Sequence, residues 1–156
     1  MVVQSLVLSI INYCSKVWGV TTNQQIERVQ KLENFAAKIA IGGARKFDHV
    51  TPILKELEWL KVNSKITYDI CIFTYKICHN LLPRWLYSFP LVGDNSIRFT
   101  RQSNTLFVPR TRTDMGGKAM TVLGPKNWNS LSEIVKDSPS LHLFKKKLKK
   151  HILDIQ

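Results

Sequence analysis

The sequence predicts a mainly α fold: a helical bundle of about five helices with an irregular segment or small hairpin near residues 90–125. Three observations predict it. Apolar residues recur at helical spacing over several long stretches. Helix-starting and helix-stopping residues bracket those stretches. Between them Pro90, Gly93, Asp94, Asn95, Pro109, Gly116 and Gly117 interrupt any regular pattern. The chain has 156 residues and is 44% apolar, which suits a packed core and not a disordered polymer.

The first element is expected over residues 3–18, where Val3, Leu6, Val7, Ile10 and Ile11 follow helical spacing. Thr22 with Gln25 three residues later forms a capping-box signature. It opens a helix over 23–41, with Ile26, Val29, Leu32, Ala36 and Ile39 as its apolar stripe. Gly42 and Gly43 stop it. A short helix then starts with Thr51 as N-cap and Pro52 in its first turn. The next, over 63–81, carries two adjacent stripes: Ile66, Ile70, Phe73 and Ile77 beside Tyr68, Cys71, Tyr75 and Cys78. Such a wide apolar arc places a helix centrally in its domain. "TLFVP" and "MTVL" read as short strands within the irregular segment. Pro125 suggests a brief helical start, and Trp128 sits in a polar turn as a plug between elements or, alternatively, a stacking platform. The last helix, 139–153, has Ser138 as N-cap, Pro139 at its first position, and Leu141, Phe144, Leu148 and Ile152 as its stripe.

Chemistry-bearing motifs are scarce. No phosphate-binding glycine loop, nucleophile elbow or His-Glu-x-x-His occurs. Cys14, Cys71 and Cys78 lack Cys-x-x-Cys spacing, which argues against a zinc knuckle and a disulfide framework. Cys71 and Cys78 would share a helix face roughly 10 Å apart, too far for one bond or one metal. Reduced, buried thiols in a nuclear or cytoplasmic setting are expected. His79 beside Cys78 suggests a nucleophilic pair, but helix neighbours diverge by about 100°. The opening residues lack a basic leader, and Gln4, Ser5 and Ser9 interrupt their apolar run, so a signal peptide is not expected. No apolar run reaches the roughly 18 residues a membrane span needs, so no span is expected, and a membrane is not among the expected partners.

Charge is the informative feature. The 23 basic and 11 acidic residues give +12, which points to a polyanionic partner, most simply RNA or DNA, or to an anionic membrane surface. Two clusters could grip a phosphate backbone. Arg98, Arg101, Arg110, Arg112 and Lys118 interleave with Phe99 and Phe107. Arginine forks suit phosphate, and aromatic rings can stack on bases; the same phenylalanines could instead anchor the loop to the core. Lys145, Lys146, Lys147, Lys149 and Lys150 surround the stripe of the last helix, as a solvated face, as a phosphate-tracking face or, least favoured, as the polar side of a membrane-surface helix.

The ordered series "LVLSIINYCSKVWG", "IERVQKLENFAAKIAIGG", "HVTPILKELEWLKVNSKITYDICIFTYKICHNLLPRWL" and "VPRTRTDMGGKAMTVLGPKNWNSLSEIVKDSPSLHLFKKKLKKHI" resembles the C-terminal part of LINE-type, jockey-like non-LTR retrotransposon reverse transcriptases. The similarity covers nearly the whole chain. It implies that residues 1–43 are a thumb-like helical pair. Residues 44–156 would be the following C-terminal helical region, with a basic loop (90–125) and a basic tail helix (139–153). The implied partners are RNA or DNA backbone and the fingers and palm of a parent polymerase. The family's paired catalytic aspartates lie upstream, and no Asp-Asp occurs here. No catalytic or metal-binding residue therefore carries over, and neither an enzyme nor a cofactor site is expected in this stretch. After "WNSL" the family usually has proline, where this chain has Ser132. The rival expectation is a helical scaffold or protein-interaction module without a nucleic-acid role.

Overall fold

The computed structural model describes residues 3–45, 47–83, 89–92 and 105–155, and among these it is mainly helical with no strand. The chain forms two compact units, Met1–Tyr68 with Lys149–Gln156, and Asp69–Leu148.

The first unit opens with a π-helical turn, Gln4–Leu8, that runs into α1 (Ser9–Asn12). The single helix expected over 3–18 is broken: Tyr13 is extended, Cys14 is left-handed at φ 49°, and α2 (Ser15–Trp18) follows. A π-turn carries one more residue than an α-turn, so it rotates the apolar register. Leu8 is accordingly buried, while Leu6 and Ile10 of the expected stripe are exposed. Trp18 Nε1 donates to Tyr13 O at 2.9 Å and stitches the break.

Helix α3 (Asn23–Ile41) has the bounds that its flanking residues predict. Gly42 ends it at φ 75°, a conformation that glycine adopts without the penalty of a Cβ. Thr22 is the N-cap, but its side chain makes no capping bond. The buried line is Ile26, Glu33, Ala36 and Ala37, whereas Leu32 and Ile39 of the expected stripe point to solvent. Apolar residues lie on both flanks of this helix, and the small Ala36 and Ala37 face the core. They pack with Leu8, Ile53, Leu54 and Trp59, on both sides of position 43. Helix α4 (Val50–Glu56) starts from His49 rather than Thr51, so Pro52 is its third residue, still within the turn where no N–H partner is needed. Glu58, at φ 53°, turns the chain so that Trp59 N donates to Leu54 O at 2.8 Å. Helix α5 (Val62–Cys78) buries Val62, Ile66, Ile70, Cys71, Thr74 and Tyr75, which draws on both predicted stripes.

In the second unit the C-terminal part of α5 is followed by short α6 (Asp114–Gly117), α7 (Met120–Ser130), α8 (Glu133–Lys136) and the start of α9 (Leu141–Ile155), whose end belongs to the first unit. Tyr75 stacks on Phe144 at 4.4 Å, and Trp128 tilts against both rings at 6.3 and 5.9 Å. Trp128 is thus a plug, as expected, but it projects from a helix rather than a turn. "MTVL" also belongs to that helix, not to a strand. Pro125 sits inside α7 and not at its start. Its missing N–H leaves the Thr121 carbonyl without its usual partner, and Thr121 is exposed to water. Of the expected hairpin, one antiparallel bridge between Leu91 and Leu106 is present. Asn129 holds Leu106 from α7: its Oδ1 accepts from Leu106 N at 3.0 Å and its Nδ2 donates to Leu106 O at 2.8 Å. Ser132 caps α8 at φ −66°, ψ 148°, which is the geometry a proline would hold there. Ser140, not Ser138, caps α9, accepting from Leu143 N at 3.3 Å, while buried Ser138 donates to Val135 O at 2.7 Å.

Gly124 marks a tight passage. A Cβ there would lie 2.9 Å from Phe89 Cζ and 3.0 Å from Thr74 Oγ1. Gly124→Ala gains about 1 kcal/mol of helix propensity but overpacks at a cost of about 1–3 kcal/mol. A lowered urea midpoint is the expected outcome.

Candidate nucleic-acid interface

The amphipathic pattern of α9 sets the candidate site. Phe144 and Leu148 have no exposed surface, so the lysines between them must turn outward. They are not equivalent. Lys145, Lys146 and Lys150 are exposed. Lys147 Nζ donates to Ile134 O at 2.9 Å. Lys149 Nζ pairs with Glu58 Oε2 at 2.8 Å, and that hydrogen bond holds the Glu58 carboxyl below the usual carboxylate range. Two of the five lysines are therefore already engaged with the protein itself.

Arg110 and Arg112 are exposed in the irregular stretch before α6. Lys118 is half-buried at the C-cap of α6. Arg98, Arg101 and Phe99 lie outside the described residues. Phe107 keeps 40% of its surface exposed, and its N–H is bound to Pro90 O at 2.9 Å.

The cysteines depart from expectation. Only Cys71 is buried, and Cys14 and Cys78 are exposed. Burial pushes the Cys71 thiol up to about 12. Cys78 keeps solvent-facing surface, yet partial desolvation of its thiol pushes it up to about 11. His79 does not activate it: the ring stacks on Tyr75 at 3.8 Å, and Nδ1 lies 2.9 Å from Tyr75 O. Among the described residues no three His, Cys, Asp or Glu side chains gather at metal-binding distance, and no helix is long and apolar enough to cross a membrane.

Sequence reasoning missed Glu33. It is 2% exposed, and desolvation raises its carboxyl to about 7 against a lowering by Gln30. Gln30 organises the surroundings: its Nε2 donates to Glu33 Oε2 and to Asn34 Oδ1, each at 2.9 Å, while its Oε1 accepts from Val62 N at 2.8 Å. Glu33 also lines a pocket of about 220 Å³ with Trp59 and Tyr68. The other charges of that pocket are paired, Glu58 with Lys149, and Lys65 over the Tyr68 ring at 4.9 Å. The available signal was spacing: Glu33 lies seven residues after Ile26, on the same helix face.

Comparison with family models, with curated proteins and with solved structures returned no significant match.

Proposed function

We propose that this chain is a C-terminal, non-catalytic part of a LINE-type retrotransposon reverse transcriptase, and that it contributes sequence-independent binding of RNA or DNA. The observation that carries the reading is the ordered run of segments resembling that family, from "LVLSIINYCSKVWG" to "SPSLHLFKKKLKKHI". The exposed side chains of Lys145, Lys146, Arg110 and Arg112 support it chemically. Ammonium groups act on phosphate as point charges, whereas guanidinium forks can bind it through two parallel hydrogen bonds. Such contacts position a backbone without reading bases.

Fluorescence anisotropy with labelled single-stranded RNA and DNA tests this. Binding should weaken steeply with salt and show no sequence preference. In the Lys145→Glu/Lys146→Glu variant the magnitude of the log–log salt slope should fall by about 1.4, since each phosphate contact on a single strand contributes about 0.7. Both lysines are exposed, so helicity should be unchanged. Equal binding by the variant would remove the tail helix from the interface. No binding at low salt by a folded protein would favour a scaffold without a nucleic-acid role.

A further inference from the structure

Helix α3 is apolar on two sides, and only one of them is in the core. On the other, Leu32, Phe35 and Ile39 follow one another at i, i+3 and i+7, with 61, 66 and 54% of their surface exposed. Large apolar side chains grouped this way on a soluble domain mark an interaction surface. Around Phe35 and Ile39 the surface is concave, while Leu32 lies outside the concavity. Phe35, Ile39, Ala44 and Val50 line a groove of about 900 Å³ between α3 and the chain that follows it.

The charge around the groove selects its occupant. Its lining includes Lys31 and Lys38 and no acidic residue. Lys38 Nζ donates a hydrogen bond to Arg45 O at 3.2 Å, an uncharged acceptor. Arg28 and Arg45 are also exposed close by in sequence. Asp48, the nearest acid in the following chain, accepts from Arg45 N at 2.6 Å and lines a neighbouring pocket instead. A second copy of this chain would bring another set of cations against the first. A phosphate backbone would leave three apolar side chains in water. A bilayer surface would not fill a groove.

We propose that this groove docks an amphipathic helix of a partner protein, with an apolar stripe for Phe35 and Ile39 in the groove and for the neighbouring exposed Leu32, and acidic residues for Lys31 and Lys38. The two lysines are seven residues apart, about 10 Å along the axis. Acidic residues spaced two turns apart on the partner match them. This is the helix-in-groove mode, with the lysines setting specificity and the stripe supplying the affinity. It does not depend on the nucleic-acid reading, since α9 and Arg110–Arg112 take no part.

The test uses the full chain and two labelled peptides of about four helical turns. Both carry leucines at i, i+3 and i+7; glutamates flank the stripe in one and lysines in the other. The glutamate peptide should bind at micromolar concentration, and the lysine peptide at least roughly tenfold more weakly. Phe35→Glu, at an exposed position, should leave the circular-dichroism spectrum intact and weaken binding of the glutamate peptide at least roughly tenfold. Lys31→Glu/Lys38→Glu should invert the preference between the two peptides. Equal affinity for both peptides, absence of binding, or indifference to Phe35→Glu would overturn the proposal. So would a wild-type dimer that Phe35→Glu dissolves, which would give the face to a second copy. Loss of RNA binding in Phe35→Glu with no peptide binding would give it to nucleic acid.

Discussion

Replacing Phe144 by alanine lowers the unfolding free energy of the unit around it by about 3–5 kcal/mol. The ring has no exposed surface and lies between Tyr75 at 4.4 Å and Trp128 at 5.9 Å. Its removal loses the transfer energy of the ring, and the neighbours are poorly placed to fill the hole. Tyr75 is fixed from its far end, where its hydroxyl donates to Ser138 O at 2.8 Å. Trp128 projects from α7, whose Asn129 is tied to Leu106. A site held on two sides collapses little, which puts the cost in the upper part of the range. A total stability of about 5–15 kcal/mol leaves little after such a loss. Urea unfolding followed by near-ultraviolet circular dichroism reads it directly, because the three aromatic rings form one chiral cluster. Phe144→Leu keeps most of the volume and should retain most of the stability. Equal unfolding midpoints for wild type and alanine variant would refute the packing described.

The second large effect is on pH. The Glu33 carboxyl titrates near 7 in the folded chain and near 4.5 when solvated. Between those values the folded protein holds a proton that the unfolded chain has released. Stability therefore falls as pH rises through this window, and it levels off above about 7. At 1.36 kcal/mol per pH unit the full swing is roughly 3 kcal/mol. Desolvation causes it, since the ionised form must be buried without a cation beside it. Glu33→Gln has nearly the same shape, and its carbonyl oxygen can accept the bond that Gln30 now gives to Oε2. The variant should lose the pH dependence across this window and be the more stable protein at pH 8. Denaturant midpoints of both proteins at pH 5, 6, 7 and 8 isolate the effect, because every other titrating group is common to the two. Parallel profiles would show that Glu33 does not change its charge there.

Local punctuation made some elements readable in advance. Helix α3 lies between Thr22 and Gly42 as those residues predict, because a left-handed glycine stops a helix whatever surrounds it. Phe144 and Leu148 were legible as core because only one side of α9 is apolar. Where both sides of a helix are apolar, periodicity loses its direction. Leu32 and Ile39 looked like core for that reason, and Glu33 was overlooked beside them. "MTVL" carries β-branched residues and precedes a proline, two local signals against helix; packing of Val122 and Gly124 in the second unit overrides both. The π-turn at Gln4–Leu8 carries no marker that simple spacing detects. The cations of the candidate interface were visible in composition. Which of them stay exposed depends on tertiary neighbours: Lys147 meets a carbonyl thirteen positions away and Lys149 a carboxylate ninety-one positions away.

The clamp between Asn129 and Leu106 creates a mutational asymmetry. A primary amide offers a carbonyl and an N–H side by side, as the main-chain groups of one strand residue do, so Asn129 acts as a counterfeit strand neighbour, borrowed from a helix. It grips only main-chain atoms of Leu106. As far as this anchorage is concerned, position 106 can drift among residues that fit its buried space, because every one of them except proline presents the same two groups. Position 129 has no such freedom: aspartate lacks the donor, leucine lacks both groups, and glutamine is one methylene too long for the same reach. Of two partners in one contact, one is replaceable and the other is not, and a lineage under selection for this fold should record that difference at these two sites.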